Sequence, residues 1–316
     1  MKRVLILGGS GFIGTNILSY IDQFLENEYE VVLFIRGIGH CVSPVFKCVK
    51  KVYIGDFSDN LSLVPIFEEQ KIDLVIHLIS TTVPNTSNNF RFDVDSNLIP
   101  TLDFLNLMIN YKCKDIVYLS SGGAVYGNSF SKSKESDLNH PNSSYGIVKL
   151  SVERYLMLYS QQGLIKPLIL RLSNPYGQFH TSMKQGIINV ALRSALHKKA
   201  FYVWGDGEAR KDYIYIEDFT SILFKLIKQK VQNEIVNIGS GNTTSINEIL
   251  NEINNFFPDF KWGYKDVKNF DVNRNDLDTS KLISIIGNYD FIGLKTGIYK
   301  TYHWLQKQEL KSRTII

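Results

Sequence analysis

Short apolar bursts alternate with longer amphipathic stretches along the N-terminal part of the chain. RVLILG is followed by FIGTNILSYIDQFL, and then come YEVVLFI, VYIGD, LVIHLIS, IVYLSS and PLILRLS. Bursts that are apolar at nearly every position, rather than at every second one, predict strands buried on both faces. Separated by helical segments, they predict parallel βαβ units in a doubly wound α/β sheet. From Asn174 onward the rhythm changes: a helix-like MKQGIINVALRSALHKK leads to a turn-rich GDGEARKDYIYIED, and helices are expected around SINEILNEINNFF and LKTGIYKTYHWLQKQ. The change predicts a smaller C-terminal lobe interleaved with the last sheet elements. No repeat, low-complexity tract or Pro/Gly linker marks a boundary, so the two parts are divided by motif.

At the first strand-to-helix junction GGSGFIG sets Gly8, Gly11 and Gly14 at GxxGxxG spacing. The tight turn needs backbone angles that glycine takes cheaply, and bare backbone lets a pyrophosphate reach the helix N-terminus. A structural turn would use only part of this set; the whole set at this junction predicts a dinucleotide site in a Rossmann-type sheet. Motif order then assigns residues 1–174 and 211–247 to a dinucleotide-binding domain, and 175–210 and 248–316 to a smaller, discontinuous α/β substrate lobe. Ligands in such sheets bind outside the carboxyl ends of the strands.

The second strand, YEVVLFI, ends on Ile35, where a carboxylate would usually accept hydrogen bonds from the adenosine ribose. Arg36 follows, and a guanidinium suits a 2′-phosphate through paired charge-assisted bonds. NADP(H) is therefore favoured, with NAD(H) the alternative if Arg36 is only a solvated strand-end residue. Asp56, closing VYIGD, is placed to accept from the adenine amino group or to serve as a turn residue.

Composition narrows the picture further. The 316-residue chain carries a net charge of +4 with its Lys and Arg scattered, which calls for neither nucleic acid nor an anionic membrane. Its three cysteines, Cys41, Cys48 and Cys113, show no ligand spacing and predict reduced thiols in a cytoplasmic protein. The apolar run of MKRVLILGGSGFIG stops at glycines without a cleavage site, so it reads as a buried first strand rather than a signal. No run is long enough to span a bilayer. The six histidines, His77 and His180 among them, show no metal spacing; core or surface roles are expected, and no metal.

In SSYGIVKLSVERYLMLY, Tyr145 and Lys149 stand four apart at the start of an expected helix, and so share one face. A neighbouring ammonium stabilises a phenolate and draws a tyrosine toward its working range. With these residues the chain resembles the extended short-chain dehydrogenase/reductases that act on nucleotide sugars as epimerases, dehydratases and reductases. The matching segments run nearly end to end: GGSGFIG, YIGD, HLIS, DVDSN, SSGGAVYG, YGIVK, RLSNPYG, GDGEARKDYIYIED, NIGSG and FDVNRNDLDTSK.

The resemblance implies Tyr145 as acid/base and Lys149 as the residue that holds the nicotinamide ribose and tunes the tyrosine. It places Phe12 and Ile13 with the loop glycines at the cofactor, and Asn97 near its nicotinamide side. Thr81 would line the sugar, Asn174 would meet the diphosphate and Asp271 the nucleoside; turn capping is the other role for Asn174 and Asp271. Helices around TLDFLNLMINY and VERYLMLYS would build a homodimer interface or pack on the sheet. The run NSFSKSKESDLNHPNSS before Tyr145 would be a lid over the sugar or a solvated loop.

Departures from the family pattern bear on the reaction. Gly122 stands where a Ser or Thr hydroxyl usually polarises the sugar carbonyl; either Ser121 substitutes, or Gly122 is given to the sugar and Tyr145 acts alone. Lys211 replaces the usual diphosphate-binding Arg, with Arg210 beside it; either would pair with the phosphate, Lys as a point charge rather than a fork. Gly123 and Ala124 replace the Asp-Glu pair that dehydration needs. The expected partner is a nucleotide-diphosphate sugar. The leading expectation is NADPH-dependent reduction of a dTDP-linked 4-keto-6-deoxyhexose for surface polysaccharide. The alternatives are a UDP-hexose 4-epimerase with tightly held NAD and a non-catalytic nucleotide-binding relative.

Overall fold

The computed structural model describes residues 1–37, 45–82, 89–128, 131–183, 185–266 and 274–314, with backbone only at 274–275 and 311–314. Asp271 and Cys41 lie outside the described residues. In chain order the first half contains β1 (Lys2–Leu7), α1 (Phe12–Phe24), β2 (Tyr29–Ile35), β3 (Val49–Ile54), α2 (Val64–Glu69), β4 (Leu74–His77), α3 (Phe90–Asp93), α4 (Ile99–Asn110), β5 (Asp115–Ser121) and α5 (Gly122–Val125). There follow α6 (Ser144–Gln161), β6 (Lys166–Leu172), β7 (Asn174–Tyr176), α7 (Ile187–Leu196), β8 (Phe201–Trp204), β9 (Arg210–Tyr215), α8 (Ile216–Lys228) and β10 (Glu234–Ile238). The chain ends with β11 (Thr243–Ser245), α9 (Ile246–Phe256), β12 (Trp262–Lys265), β13 (Arg274–Asn275), α10 (Ser280–Ile286) and α11 (Leu294–Thr314).

Seven strands form a sheet in the order β10-β6-β5-β4-β1-β2-β3, and the neighbouring pairs from β6 to β3 are parallel. The chain runs outward from β1 through β2 to β3, returns to β4 on the other side of β1, and continues outward through β5 and β6. This reversal beside β1 is where a doubly wound Rossmann-type sheet opens a crevice for ligand. The continuous apolar bursts behave as expected at β1, where Val4–Leu7 are fully buried. VYIGD does not: β3 is the edge strand, and most of its residues are exposed or half-buried. Helical cover is lost at a sheet edge, and the lysines beside VYI keep that edge polar.

Two compact units make up the chain: residues 1–127, 135–172 and 223–236 in one, and 128–134, 173–222 and 237–316 in the other. Residues 128–134, 173–174, 211–222 and 237–247, assigned by motif to the dinucleotide-binding domain, cluster with the second unit. In the first unit, Leu5, Leu7, Val32, Phe34, Val75, Phe104 and Ile116 belong to one buried core. The second unit has its own core, with Tyr176, Leu192, Tyr215, Ile249 and Ile298 among its members. There β9, expected within a turn-rich piece, pairs with β7, β11 and β13. A capping box between Ser245 and Glu248 starts α9. Among the described residues no helix is long and apolar enough to cross a membrane.

Candidate active site

The glycine loop joins β1 to α1 with Gly8 at φ +81°, in the left-handed region. A Cβ at Gly14 would stand 2.5 Å from Gly9 Cα, so only glycine lets the first turn of α1 fold against the loop. Gly11 caps α1 without a side-chain hydrogen bond, and no acidic residue lies in the first turn, where Phe12 and Ile13 stand. With no acidic side chain at this helix N-terminus, the loop fits a dinucleotide pyrophosphate. At the end of β2 the Ile35 side chain is buried and Arg36 is exposed. The Asp56 carboxylate accepts from Ser58 N at 2.9 Å and Ser58 Oγ at 2.7 Å. Those bonds hold it below the usual range, and Arg36 adds to the effect.

Ser143 caps α6 by accepting from Gly146 N at 3.2 Å, which brings Tyr145 into the first turn and Lys149 one turn on. Both side chains line a small cavity with Ile79, Ser80, Thr82 and Asn97. Lys149 Nζ donates to Leu119 O at 2.8 Å and lies 5.8 Å from the Tyr145 ring centre. Burial pulls the ammonium down to about 8, and the Glu153 carboxylate pulls it back up. Burial pushes the Tyr145 phenol up to about 12, while hydrogen bonds with the hydroxyls of Ser121 and Ser80 draw it down. At neutral pH this pair is a phenol beside an ammonium, an arrangement able to deliver a proton and hold the phenolate left behind.

Asn97 lies on a π-helical turn, Val94–Leu98, a local form frequent at functional sites. Its amide oxygen accepts from Thr81 N at 2.8 Å and its nitrogen donates to Thr81 Oγ1 at 2.7 Å. Asn97 thereby fixes the turn that carries Ser80 and Thr81. His77, at the end of β4, is buried against Phe57, Phe104 and Tyr118, and burial pushes it down to about 3. Thr101 Oγ1 donates to Asn97 O at 2.6 Å, so His77 Nε2, 3.2 Å away, must be the protonated nitrogen. Burial likewise pushes His180 down, to about 4. No group of three or more metal-binding side chains occurs among the described residues.

Residues 4–239 match the sequence family described as NAD dependent epimerase/dehydratase. The chain belongs to that family. Over 96% of its length it is 32% identical to a putative UDP-glucose 4-epimerase of Methanocaldococcus jannaschii, covering 98% of that protein. It is also 30% identical over 94% of its length to an Escherichia coli dTDP-4-dehydro-6-deoxyglucose reductase, covering 95% of it. Among solved structures it resembles a UDP-glucose 4-epimerase of Thermotoga maritima crystallised with UDP-glucose, at 26% identity and TM-score 0.89, covering 97% of this chain and 99% of that one. The protein is thus an NAD(P)-dependent enzyme of the nucleotide-sugar epimerase, dehydratase and reductase group.

Against the family pattern, Gly122 opens α5 as a buried residue with no hydroxyl to offer. The hydroxyls on the Tyr145 phenol are those of Ser121 and Ser80. Ser121 was legible as the neighbour of Gly122; Ser80 was not, because its motif, HLIS, carries no signal for a hydroxyl acting on a tyrosine 65 residues away. A second feature the sequence reading missed is the ion pair of Glu153 and Arg171, both side chains 1% exposed, with Arg171 Nη2 2.7 Å from Glu153 Oε2. Its signals in the sequence were weak: Glu153 follows Lys149 by one helical turn, and Arg171 interrupts the apolar PLILRLS.

In the second unit, Asn174 Nδ2 donates to Asp212 O at 2.9 Å. Arg210 forks onto Glu248 at 2.9 and 3.0 Å and donates to Thr243 O at 3.1 Å. Its guanidinium is therefore engaged within its own unit, and Lys211 beside it is half-buried. The NIGSG segment has a structural role: buried Asp212 accepts from Ser240 N at 2.8 Å and Gly241 N at 2.9 Å. A Cβ at Gly239 would meet the Asp212 carboxylate at 2.5 Å.

Proposed function

We propose that the protein uses NADPH to reduce the 4-keto group of a nucleotide-linked 4-keto-6-deoxyhexose, with dTDP as the favoured carrier, in the making of a deoxysugar for surface polysaccharide. The observation that carries this reading is the end of β2, where buried Ile35 offers no acceptor for a ribose 2′-hydroxyl and exposed Arg36 suits a 2′-phosphate. A cofactor held reduced in the cell serves net reduction, whereas an epimerase takes hydride from its sugar and returns it. The bound dihydronicotinamide would supply the hydride to sugar C4. Tyr145 then gives its proton to O4, Lys149 holds the resulting phenolate, and Ser121 donates to the developing alkoxide. Asn174 and Lys211 are proposed to hold the diphosphate, and Thr81 the sugar. The Escherichia coli relative, named for reduction of such a substrate, supports the reading.

The second reading is a UDP-hexose 4-epimerase, supported by the names of the Methanocaldococcus and Thermotoga proteins. A non-catalytic scaffold is disfavoured by the converged Tyr145 and Lys149. Purified protein should oxidise NADPH stoichiometrically with a dTDP-linked 4-keto-6-deoxyhexose and leave UDP-glucose and UDP-galactose unchanged. Interconversion of the two UDP-hexoses without added cofactor, above about one turnover per second, would replace the reductase with the epimerase. A homodimer through α4 and α6 is also proposed, because Ile99, Ile147, Tyr155 and Leu158 leave apolar surface exposed there. Sedimentation of Leu158→Glu as a monomer, against a dimeric parent, is the expected check.

A further inference from the structure

We infer that Ser80 is a positioning residue for the reaction, holding the Tyr145 phenol at rest and its phenolate once the proton has left. It rests on Tyr145 being the acid/base, but not on which sugar is reduced or epimerised. β4 and β5 are neighbours in the sheet and run parallel. Ser80 follows β4 by three residues and Ser121 ends β5, so the two hydroxyls leave the carboxyl ends of adjacent strands. Ser80 and Tyr145 line the same cavity, and both serines hydrogen-bond the phenol.

The two serines are not equivalent. A hydroxyl has one proton and two lone pairs. Ser80 Oγ donates its proton to Thr82 O at 2.9 Å, so it meets the neutral phenol as an acceptor until the sugar oxygen takes that place. When Tyr145 passes its proton to the sugar oxygen, the Ser80 hydroxyl rotates and donates to the phenolate in place of the Thr82 carbonyl. The exchange is favourable because a bond to an ionised acceptor is about twice as strong as one to a neutral acceptor. Ser80 keeps its proton throughout; one O–H bond breaks on Tyr145, one forms on the sugar, and the charge on the phenolate is shared by Lys149 and Ser80. With the phenolate so held, Ser121 is left free to donate to the sugar oxygen. The turn bearing Ser80 is kept in place by Asn97 through Thr81.

The rival role is that Ser80 merely closes the turn to Thr82, and a direct titration separates the two. Difluorotyrosine placed at position 145 lowers the phenol into a range the fold tolerates and reports its ionisation by fluorine NMR, without any substrate. Ser80→Ala should raise that midpoint by about one pH unit, and Ser80→Thr, which keeps the hydroxyl, should leave it near the parent value. On whichever nucleotide sugar the parent turns over, kcat of Ser80→Ala should fall about tenfold with KM held, the rate equivalent of that shift. An unchanged midpoint in folded Ser80→Ala, with Ser80→Thr equally unchanged, would reduce Ser80 to a turn residue. A shifted midpoint in a protein that does not reduce the keto sugar would overturn the proposed reaction and leave the role of Ser80 standing.

Discussion

Replacing Glu153 by Gln should both destabilise the first unit and pull down the pH at which Lys149 loses its proton. Arg171 reaches Glu153 with Nε at 3.2 Å from each carboxylate oxygen and with Nη2 at 2.7 Å, and Ser120 donates to Oε1. The guanidinium also lies 4.7 Å from the Tyr126 ring centre and donates to Asn139 Oδ1 at 3.2 Å. Removing one member of a pair this deeply buried strands the other charge, a loss of about 3–5 kcal/mol. That is large against the roughly 5–15 kcal/mol by which native proteins exceed their unfolded chains. Lys149 stands at about 8 because burial lowers it more than Glu153 raises it, so without the carboxylate it drops further. The alkaline limb of a Lys149-dependent reaction therefore moves to lower pH. Urea unfolding of Glu153→Gln, Arg171→Met and the double variant tests the first claim. The double should lose at least about 2 kcal/mol less than the sum of the singles, because it leaves no stranded charge. Single losses under about 1 kcal/mol that simply add, with an unmoved alkaline limb, would refute the reasoning.

Other expectations follow from the same geometry. Tyr145→Phe removes one hydroxyl and should leave folding and cofactor binding intact while turnover falls by about two to four orders of magnitude, read from single-turnover rates. Arg36→Ala should weaken NADPH binding by about 1.5–3 kcal/mol in calorimetry and leave NADH nearly unaffected; equal losses for both would show that Arg36 does not read the phosphate. His77 is depressed in the fold from its ordinary 6.5 to about 3, so the unfolded chain takes up a proton that the folded one refuses. Its contribution is whole above 6.5 and is lost as pH falls toward 3, with a slope of up to about 1.4 kcal/mol per pH unit, and His77→Phe should flatten unfolding curves over that interval.

What the sequence determined by itself was local. The apolar run of β1, the glycines after it and the Tyr145–Lys149 spacing depend on neighbours within a turn or a strand, where periodicity and backbone freedom act directly. The same reasoning carried VYIGD too far, since the position of β3 at the sheet edge depends on strand order. Tertiary structure alone brought Ser80 to Tyr145 and Arg171 to Glu153, and set Arg210 on Glu248 within the second unit. Each of these pairs joins residues distant in sequence, and neither member carries a mark of its partner. Arg171 in PLILRLS interrupts an apolar strand, yet only the register that sets it opposite Ser120, with α6 packed alongside, shows that its charge is matched. The pKa of Tyr145 is decided in the same way: a helix supplies the phenol, burial raises it, and hydroxyls beyond the ends of two neighbouring parallel strands draw it part of the way back.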